Sequence, residues 1–397
     1  MSAKTVSFSE IKSSELDGVL ALRSLLRHGL SASVFSRQVI ICTTRPGVEL
    51  TYVNGVPGTS GLGPVTYSQD KGMRRELMKD AGIPIPRAVV FTMGKGIANA
   101  KRFAKEIGYP VTVKPAIGDN AIETFFNLAN DSEIQSALDY LSSPTSERPG
   151  FTRAAYGLTE LREPGVDEKG RRIVPPGYQF MVEKQLSGQY LRCLVVNGKL
   201  VSAIRCKGRP SEGKLRGGED VTERMHPELR EIAERAGSVI FGLDTVSVDM
   251  IVPYLRRPLA KQEIGVVELN ERPGLAPQLL TDPQLALEAS DLILANYACA
   301  SGVELESATD EVRLVFAAHE LPDADTGSNV IQAIARDLDL DLGIRNVNRA
   351  EGIVRGDVRG DAGAVAVLVN TMMGDDQEDR VMMFELEQSE VAHEVGD

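Results

Sequence analysis

The chain has 397 residues, 42% of them hydrophobic, with 56 acidic against 44 basic side chains and a formal net charge of −12. That length accommodates two or three domains around a sizeable core, and the negative balance argues against a general nucleic-acid or membrane-surface binder, since both want a basic face. Cys42, Cys193, Cys206 and Cys299 are scattered with no C-x-x-C spacing, which speaks against a zinc site and against a disulfide framework. The opening MSAKTVSFSEIKSSELDG is polar without an apolar h-region, and no run approaches the roughly 18 apolar residues of a membrane span, so a cytoplasmic protein is expected.

In chain order, residues 14–30 (SELDGVLALRSLLRHGL) carry apolar side chains at helical spacing and a glycine near the end, as a capped amphipathic helix does. RQVIICTT and ELTYVNG predict two strands. The glycine-rich run 55–68, GVPGTSGLGPVTYS, reads as a connector, and its G-x-x-G-x-G pattern lacks the strand–turn–helix setting of a dinucleotide fingerprint. Residues 69–82 (QDKGMRRELMKDAG) predict a helix stopped by glycine and then IPIP. Strand RAVVF, helix IANAKRFAKEIG and strand PVTVKPA follow. Residues 142–177, rich in Pro, Gly and charge and without a period, predict a long loop or insertion.

YQFMVEKQL then predicts a strand, and QYLRCLVVNGKLVSAIR a hairpin turning at Asn197-Gly198. Helix HPELREIAERAGSVIFG leads to strands TVSVDMIV and IGVVELN, and another helix spans about 284–300. Beyond Asp310, strand VRLVFAA, helix NVIQAIARDL and strand AVAVLVN form a further unit. Residues 371–397 hold nine acids against one base, Arg380.

The stretch VVELNERPG reads as a buried strand, yet it carries Glu268, Asn270 and Glu271. A carboxylate taken out of water is costly unless something compensates it. Asp249, in VSVDMIV, lies on the preceding strand. Antiparallel pairing through a short hairpin brings it beside Glu268 and Asn270, which are two apart and share a face. Three oxygen-bearing side chains on one spot suit magnesium held by one or two carboxylates, with phosphates and water completing its shell. An exposed hairpin with solvated acids is the plain alternative.

Lys114, in the buried-looking strand VTVKPA, is a lone ammonium for which a phosphate would serve as partner. AIGDNA after it reads as a flexible loop able to fold over phosphates through backbone N–H groups. A lysine reaching solvent from a strand end is the alternative. Lys71 and Arg75, four apart on one helical face, form a basic pair of the kind that is usually a solvated surface. His226 in ERMHPEL reads as a helix-start residue rather than a catalytic one.

Taken in order, DK opening a helix, GIPIP, VTVKPA, FMVEKQLSGQYLR, VDM and VELNERPG resemble the ATP-grasp superfamily over residues 67–274. Within it the chain is most similar to carboxylate–amine ligases of the cyanophycin synthetase, glutathione synthetase-like and RimK-type groups. PGTSGLGPVTYSQDK resembles their TS…DK segment, and EGKLRGGE the basic Gly-Gly loop of the RimK type. The resemblance implies an α/β (α+β) class and an ATP-grasp fold. It would comprise a small pre-grasp region (1–68), an ATP-grasp domain with two subdomains gripping ATP (69–305), and an extra C-terminal α/β unit with an acidic tail (306–397).

Carried over by position, Lys71 and Lys114 would contact the ATP phosphates. Glu183, Lys184, Gln185 and Leu186 would be the hinge that bonds adenine through backbone and the Glu183 side chain, with Tyr190 also on the nucleotide. Asp249, Glu268 and Asn270 would hold Mg2+, or Mn2+. Arg192 and Arg216 match basic positions near the γ-phosphate and the acyl-phosphate, and Arg272 would clamp a substrate carboxylate with its planar fork. Two departures stand out. The acid that the family places two residues after the hinge glycine, for the ribose, is absent, since Gly188 is followed by Gln189 and Tyr190. The loop after Lys114 has only Gly118 where the family has several glycines.

The implied activity is an ATP-dependent ligase making an amide bond through an acyl-phosphate. An amino acid or peptide would be the substrate, with no nucleic-acid or membrane partner. The C-terminal unit would cap the substrate pocket, make a homodimer or bind a carrier. No side-chain nucleophile is required, which suits four scattered histidines. The rivals are a carboxylase or carboxylate kinase using the same ATP site, and an ATP-sensing protein without turnover.

Overall fold

In this computed structural model the described residues are 8–44, 47–117, 123–148, 164–208, 217–374 and 381–389. They fall into two compact units, Met1–Thr59 with Arg272–Asp397, and Ser60–Glu271. This differs from three consecutive segments, because the two ends of the chain build one sheet together.

At the N-terminus, α1 (Ser13–Arg27) buries Leu16, Val19, Leu20, Leu25 and Leu26 and stops just before Gly29, whose φ of +69° suits glycine. Strands β1 (Ala32–Phe35), β2 (Val39–Thr43), β3 (Glu49–Val53) and β4 (Val56–Pro57) follow as an antiparallel meander.

The unit Ser60–Glu271 opens with α2 (Leu62–Gln69), where the sequence predicted only a connector. Pro64 sits in its first turn, where a missing N–H removes no helical bond. Asp70 ends α2 and caps α3 (Lys71–Asp80): its carboxylate accepts the N–H groups of Gly72 and Met73 at 2.8 and 2.9 Å. Next come β5 (Ala88–Thr92), α4 (Ile97–Ile107), β6 (Val111–Pro115), β7 (Phe125–Leu128) and α5 (Asp131–Leu141). The expected long loop contains a small ladder, β8 (Gly165–Val166) with β9 (Arg172–Ile173).

Then follow β10 (Gln179–Lys184), β11 (Gln189–Val196), β12 (Lys199–Cys206), β13 (Gly218–Asp220), α6 (Pro227–Gly237), β14 (Thr245–Val252) and β15 (Gly265–Asn270). Asn197 and Gly198 both have positive φ at the β11–β12 turn, as a type I′ hairpin requires. His226 caps α6, its Nδ1 accepting the N–H of Glu228 at 3.3 Å, in keeping with its reading as a helix-start residue.

These strands make two antiparallel sheets, ordered β5-β10-β6-β7 and β13-β12-β11-β14-β15. In the first, Val111, Val113, Phe180 and Val182 pack with Ala100 and Ala104 of α4 and with Ile134 and Leu138 of α5. The two-residue period of a strand therefore sends Thr112, Lys114, Met181 and Glu183 to the other face. In the second, α6 covers one face so closely that a Cβ on Gly237 would lie 2.6 Å from Val195, leaving Tyr190 and Arg192 on the opposite one.

The chain then returns to its first unit with α7 (Ala276–Thr281), α8 (Pro283–Ala300), β16 (Glu311–His319), α9 (Ala324–Asp337), β17 (Asp341–Asn348), β18 (Ile353–Asp361), α10 (Ala362–Met373) and β19 (Met383–Gln388). The sheet runs β17-β18-β16-β19-β1-β2-β3-β4, joined where β19 pairs antiparallel with β1. AVAVLVN, expected as a strand, is the middle of α10. Asp361 caps it through the N–H of Ala364 at 3.0 Å, and a short run this apolar fits either period until packing decides. Among the described residues no helix is long and apolar enough to cross a membrane.

Candidate active site

Within the unit Ser60–Glu271, one cleft is lined by Lys71, Lys114, Glu183, Lys184, Gln185 and Leu186, together with Tyr190 and Glu268. These side chains come from α3, β6, β10, β11, β15 and the turn between β10 and β11. Leu186, Tyr190 and Ile251 form an apolar cluster backed by Val267 and Cys206, a surface that suits a flat ring. Thr112, Thr124, Phe126, Ile251 and Val267 complete the lining. Their positions had no local signal, because apolar residues and threonines on or beside strands read simply as sheet.

On the first sheet, Lys114 donates to Glu183 Oε1 at 3.0 Å, and Arg75 to its Oε2 at 2.9 Å. The Glu183 side chain, expected on adenine, therefore meets two basic side chains, and the buried Lys114 has an acid beside it rather than open solvent. Lys184 donates to the carbonyl of Gly108 at 2.8 Å, and Gln185 Oε1 accepts the N–H of Asn127 at 2.6 Å. Both side chains are anchored beside the cleft. The expected basic surface of Lys71 and Arg75 is not solvated: Lys71 and Arg74 are buried, and the Arg75 side chain is 11% exposed.

On the second sheet, Arg192, Asp249 and Glu268 stand in one row across β11, β14 and β15. Ser247 faces Asn270 one step along, and the Asn270 amide donates to Asp249 Oδ2 at 3.3 Å. A register shift between Asp249 and Met250 sets off Val267 as the unpaired residue. Asp249 is buried under a two-point pair with Arg192, and Glu268 accepts from Arg74 at 3.0 Å. Burial alone would raise the Glu268 pKa, but Arg74, Lys71 and Lys114 outweigh it and bring it down to about 2. Glu271 points elsewhere. Its carboxylate accepts from Ser68 Oγ at 2.9 Å and Gln69 Nε2 at 3.2 Å, which compensates its burial.

Two facing carboxylates and an amide oxygen are hard donors, the set that Mg2+ or Mn2+ takes. Among the described residues no three His, Cys, Asp or Glu side chains gather as a metal cage, so a cation here would draw part of its shell from phosphate and water. Arg272 falls in the other unit, beginning the segment that follows Glu271. Arg216 and residues 118–122, with Gly118, lie outside the described residues. Gly188 has φ +153°, and a Cβ there would meet the backbone of Val252 at 2.7 Å. Gln189, beside it, donates to the carbonyl of Pro253 at 3.0 Å and accepts from Arg205 at 3.1 Å.

A family model described as carbamoyl-phosphate synthase L chain, ATP binding domain, matches residues 70–121. The cyanophycin synthetase of Geminocystis herdmanii is 23% identical over 251 residues, 54% of this chain and 28% of that protein. A probable alpha-L-glutamate ligase of Aeromonas salmonicida is 39% identical over 95 residues, 23% of this chain and 29% of that one. The D-alanine–D-alanine ligase of Clostridium botulinum is 26% identical over 295 residues, 66% of this chain and 83% of that one. These relatives are named as a synthetase and two ligases, in line with the resemblance read from the motifs. The chain spans 28% of the length of the cyanophycin synthetase it matches.

Proposed function

We propose that the protein is an ATP-dependent carboxylate–amine ligase that forms an amide bond through an acyl-phosphate, acting on an amino acid or small peptide. The observation that carries this reading is the convergence of Lys71, Lys114, the 183–186 hinge and Glu268 on one cleft. The ligase names of the relatives support it.

In this reading the apolar cluster around Leu186 and Ile251 takes the adenine, with hydrogen bonds from the 183–186 backbone. Lys71 and Lys114 take the phosphates. Asp249, Glu268 and Asn270 hold Mg2+, with Mn2+ fitting the same donors, and the ion supplies charge neutralisation and orientation of the phosphoryl group. Arg192, fixed by Asp249, faces the transferring phosphoryl, and Arg216 and Arg272 serve the substrate side. A substrate carboxylate oxygen attacks the γ-phosphorus as the bond to the β–γ bridging oxygen breaks and ADP leaves. An amine nitrogen then attacks the acyl carbon, loses a proton and expels phosphate. The chain contributes positioning and preorganised charge rather than a nucleophile.

Phosphate release from ATP with pooled amino acids, against ATP alone, tests the reading. Amine-dependent release is expected. ADP formation that needs an acid and no amine would mark a carboxylate kinase, and ATP binding without release would mark a sensor.

A further inference from the structure

Arg74 and Arg75 are consecutive on α3, yet their guanidiniums reach different sheets. Arg74 donates to Glu268 on β15 at 3.0 Å and to the carbonyls of Leu269 and Ser68 at 2.9 and 3.0 Å. Arg75 donates to Glu183 on β10 at 2.9 Å and to the carbonyl of Pro86. Their side chains are 4% and 11% exposed.

Docking a helix does not call for this. Well-packed apolar side chains do it as well or better, because a buried ion pair seldom repays its desolvation. What a guanidinium adds is direction, since its planar fork fixes the carboxylate it meets. The two carboxylates chosen line the same cleft from two different sheets. Glu268 is the carboxylate assigned above to the cation. Glu183 accepts from Lys114 at 3.0 Å through its remaining oxygen. Lys71, at the start of the same helix, lines the same cleft.

We propose that Arg74 and Arg75 are positioning residues, a two-armed strut through which α3 sets Glu268 and the Glu183–Lys114 pair in register with Lys71. The inference rests on the nucleotide-and-cation reading of the cleft given above. It makes the arms separable: Arg75 acts through Glu183 and Lys114 on the phosphates, and Arg74 acts through Glu268 on the divalent cation.

Calorimetric titration of the full chain with ADP, with and without Mg2+, tests it on Arg74→Lys and Arg75→Lys, with the Gln variants alongside. Arg75→Lys should weaken Mg2+-free ADP binding about tenfold and leave the factor by which Mg2+ tightens ADP unchanged within about twofold. Arg74→Lys should do the reverse, keeping Mg2+-free affinity within about twofold and cutting the Mg2+-linked tightening about tenfold. Equal losses in both readouts, or wild-type values in folded lysine variants, overturn the strut. So does a lysine variant that fails to fold, since the arginines would then be structural. A wild-type chain that binds no ADP sinks the reading of the cleft itself.

Discussion

Arg192 and Asp249 stand directly opposite each other on β11 and β14 and close a two-point pair, Nε to Oδ1 and Nη2 to Oδ2, both at 2.8 Å. Burial works against the Arg192 charge, but Asp249 outweighs it and holds the guanidinium protonated. Asp249 is itself 1% exposed, so each charge is the other's compensation. Asp249→Asn should therefore cost about 3–5 kcal/mol of stability by stranding the arginine. The double replacement Arg192→Met with Asp249→Leu should cost far less, while both variants lose turnover. Urea unfolding of the two variants checks this, and equal losses would show that the pair is not the source of the cost.

Glu268 makes a pH prediction. Its folded pKa is depressed from 4.5 to about 2. The stability it contributes is thus present above the unfolded value near 4.5 and is lost as pH falls through the folded value near 2. The difference in unfolding free energy between wild type and Glu268→Gln should be on the order of 1–3 kcal/mol at neutral pH. It should stay level down to about pH 5 and shrink across the interval below. A difference that does not change over that interval would show that the Arg74 contact does not hold the carboxylate ionised.

Lys114→Ala should weaken a non-hydrolysable ATP analogue by about 1.5–3 kcal/mol, roughly tenfold to a hundredfold. The affinity for an amino-acid substrate should change little. Glu183→Gln should reproduce part of that loss, because the Lys114 ammonium is aimed by the Glu183 carboxylate. Calorimetry on both variants decides the matter. Unchanged analogue affinity in Lys114→Ala would make the lysine structural.

Gly188 leaves no room for a side chain, with φ +153° and a Cβ only 2.7 Å from the Val252 carbonyl carbon. Gly188→Ala should lower stability by about 1–3 kcal/mol. It should also reduce nucleotide affinity, since Gly188 leads from the 183–186 hinge into β11. A melting curve and an ADP titration that both match wild type would show that the backbone there yields freely.

The parts legible in the sequence are those whose cause is local. Asp70 capping α3 and Gly82 beyond its end act within a few residues of the helix they bound. Lys114 faces the cleft because Val113 must face α4 and α5, and alternation along a strand leaves no other choice. That the strands of Asp249 and Glu268 pair antiparallel followed from chain order, but the register that sets the two acids opposite each other, with its shift between Asp249 and Met250, did not. Tertiary structure decided the rest. Ala364 to Asn370 carried no period that separates strand from helix, and the packing of α10 on α1 chose the helix. β1 and β19 share a ladder although they come from opposite ends of the chain, and no short-range signal encodes such a pairing. Arg74 and Arg75 differ by one residue and by about 100° around a helix. Which acid each would find depended on where two sheets stood, and that is set only when the cores beneath them close.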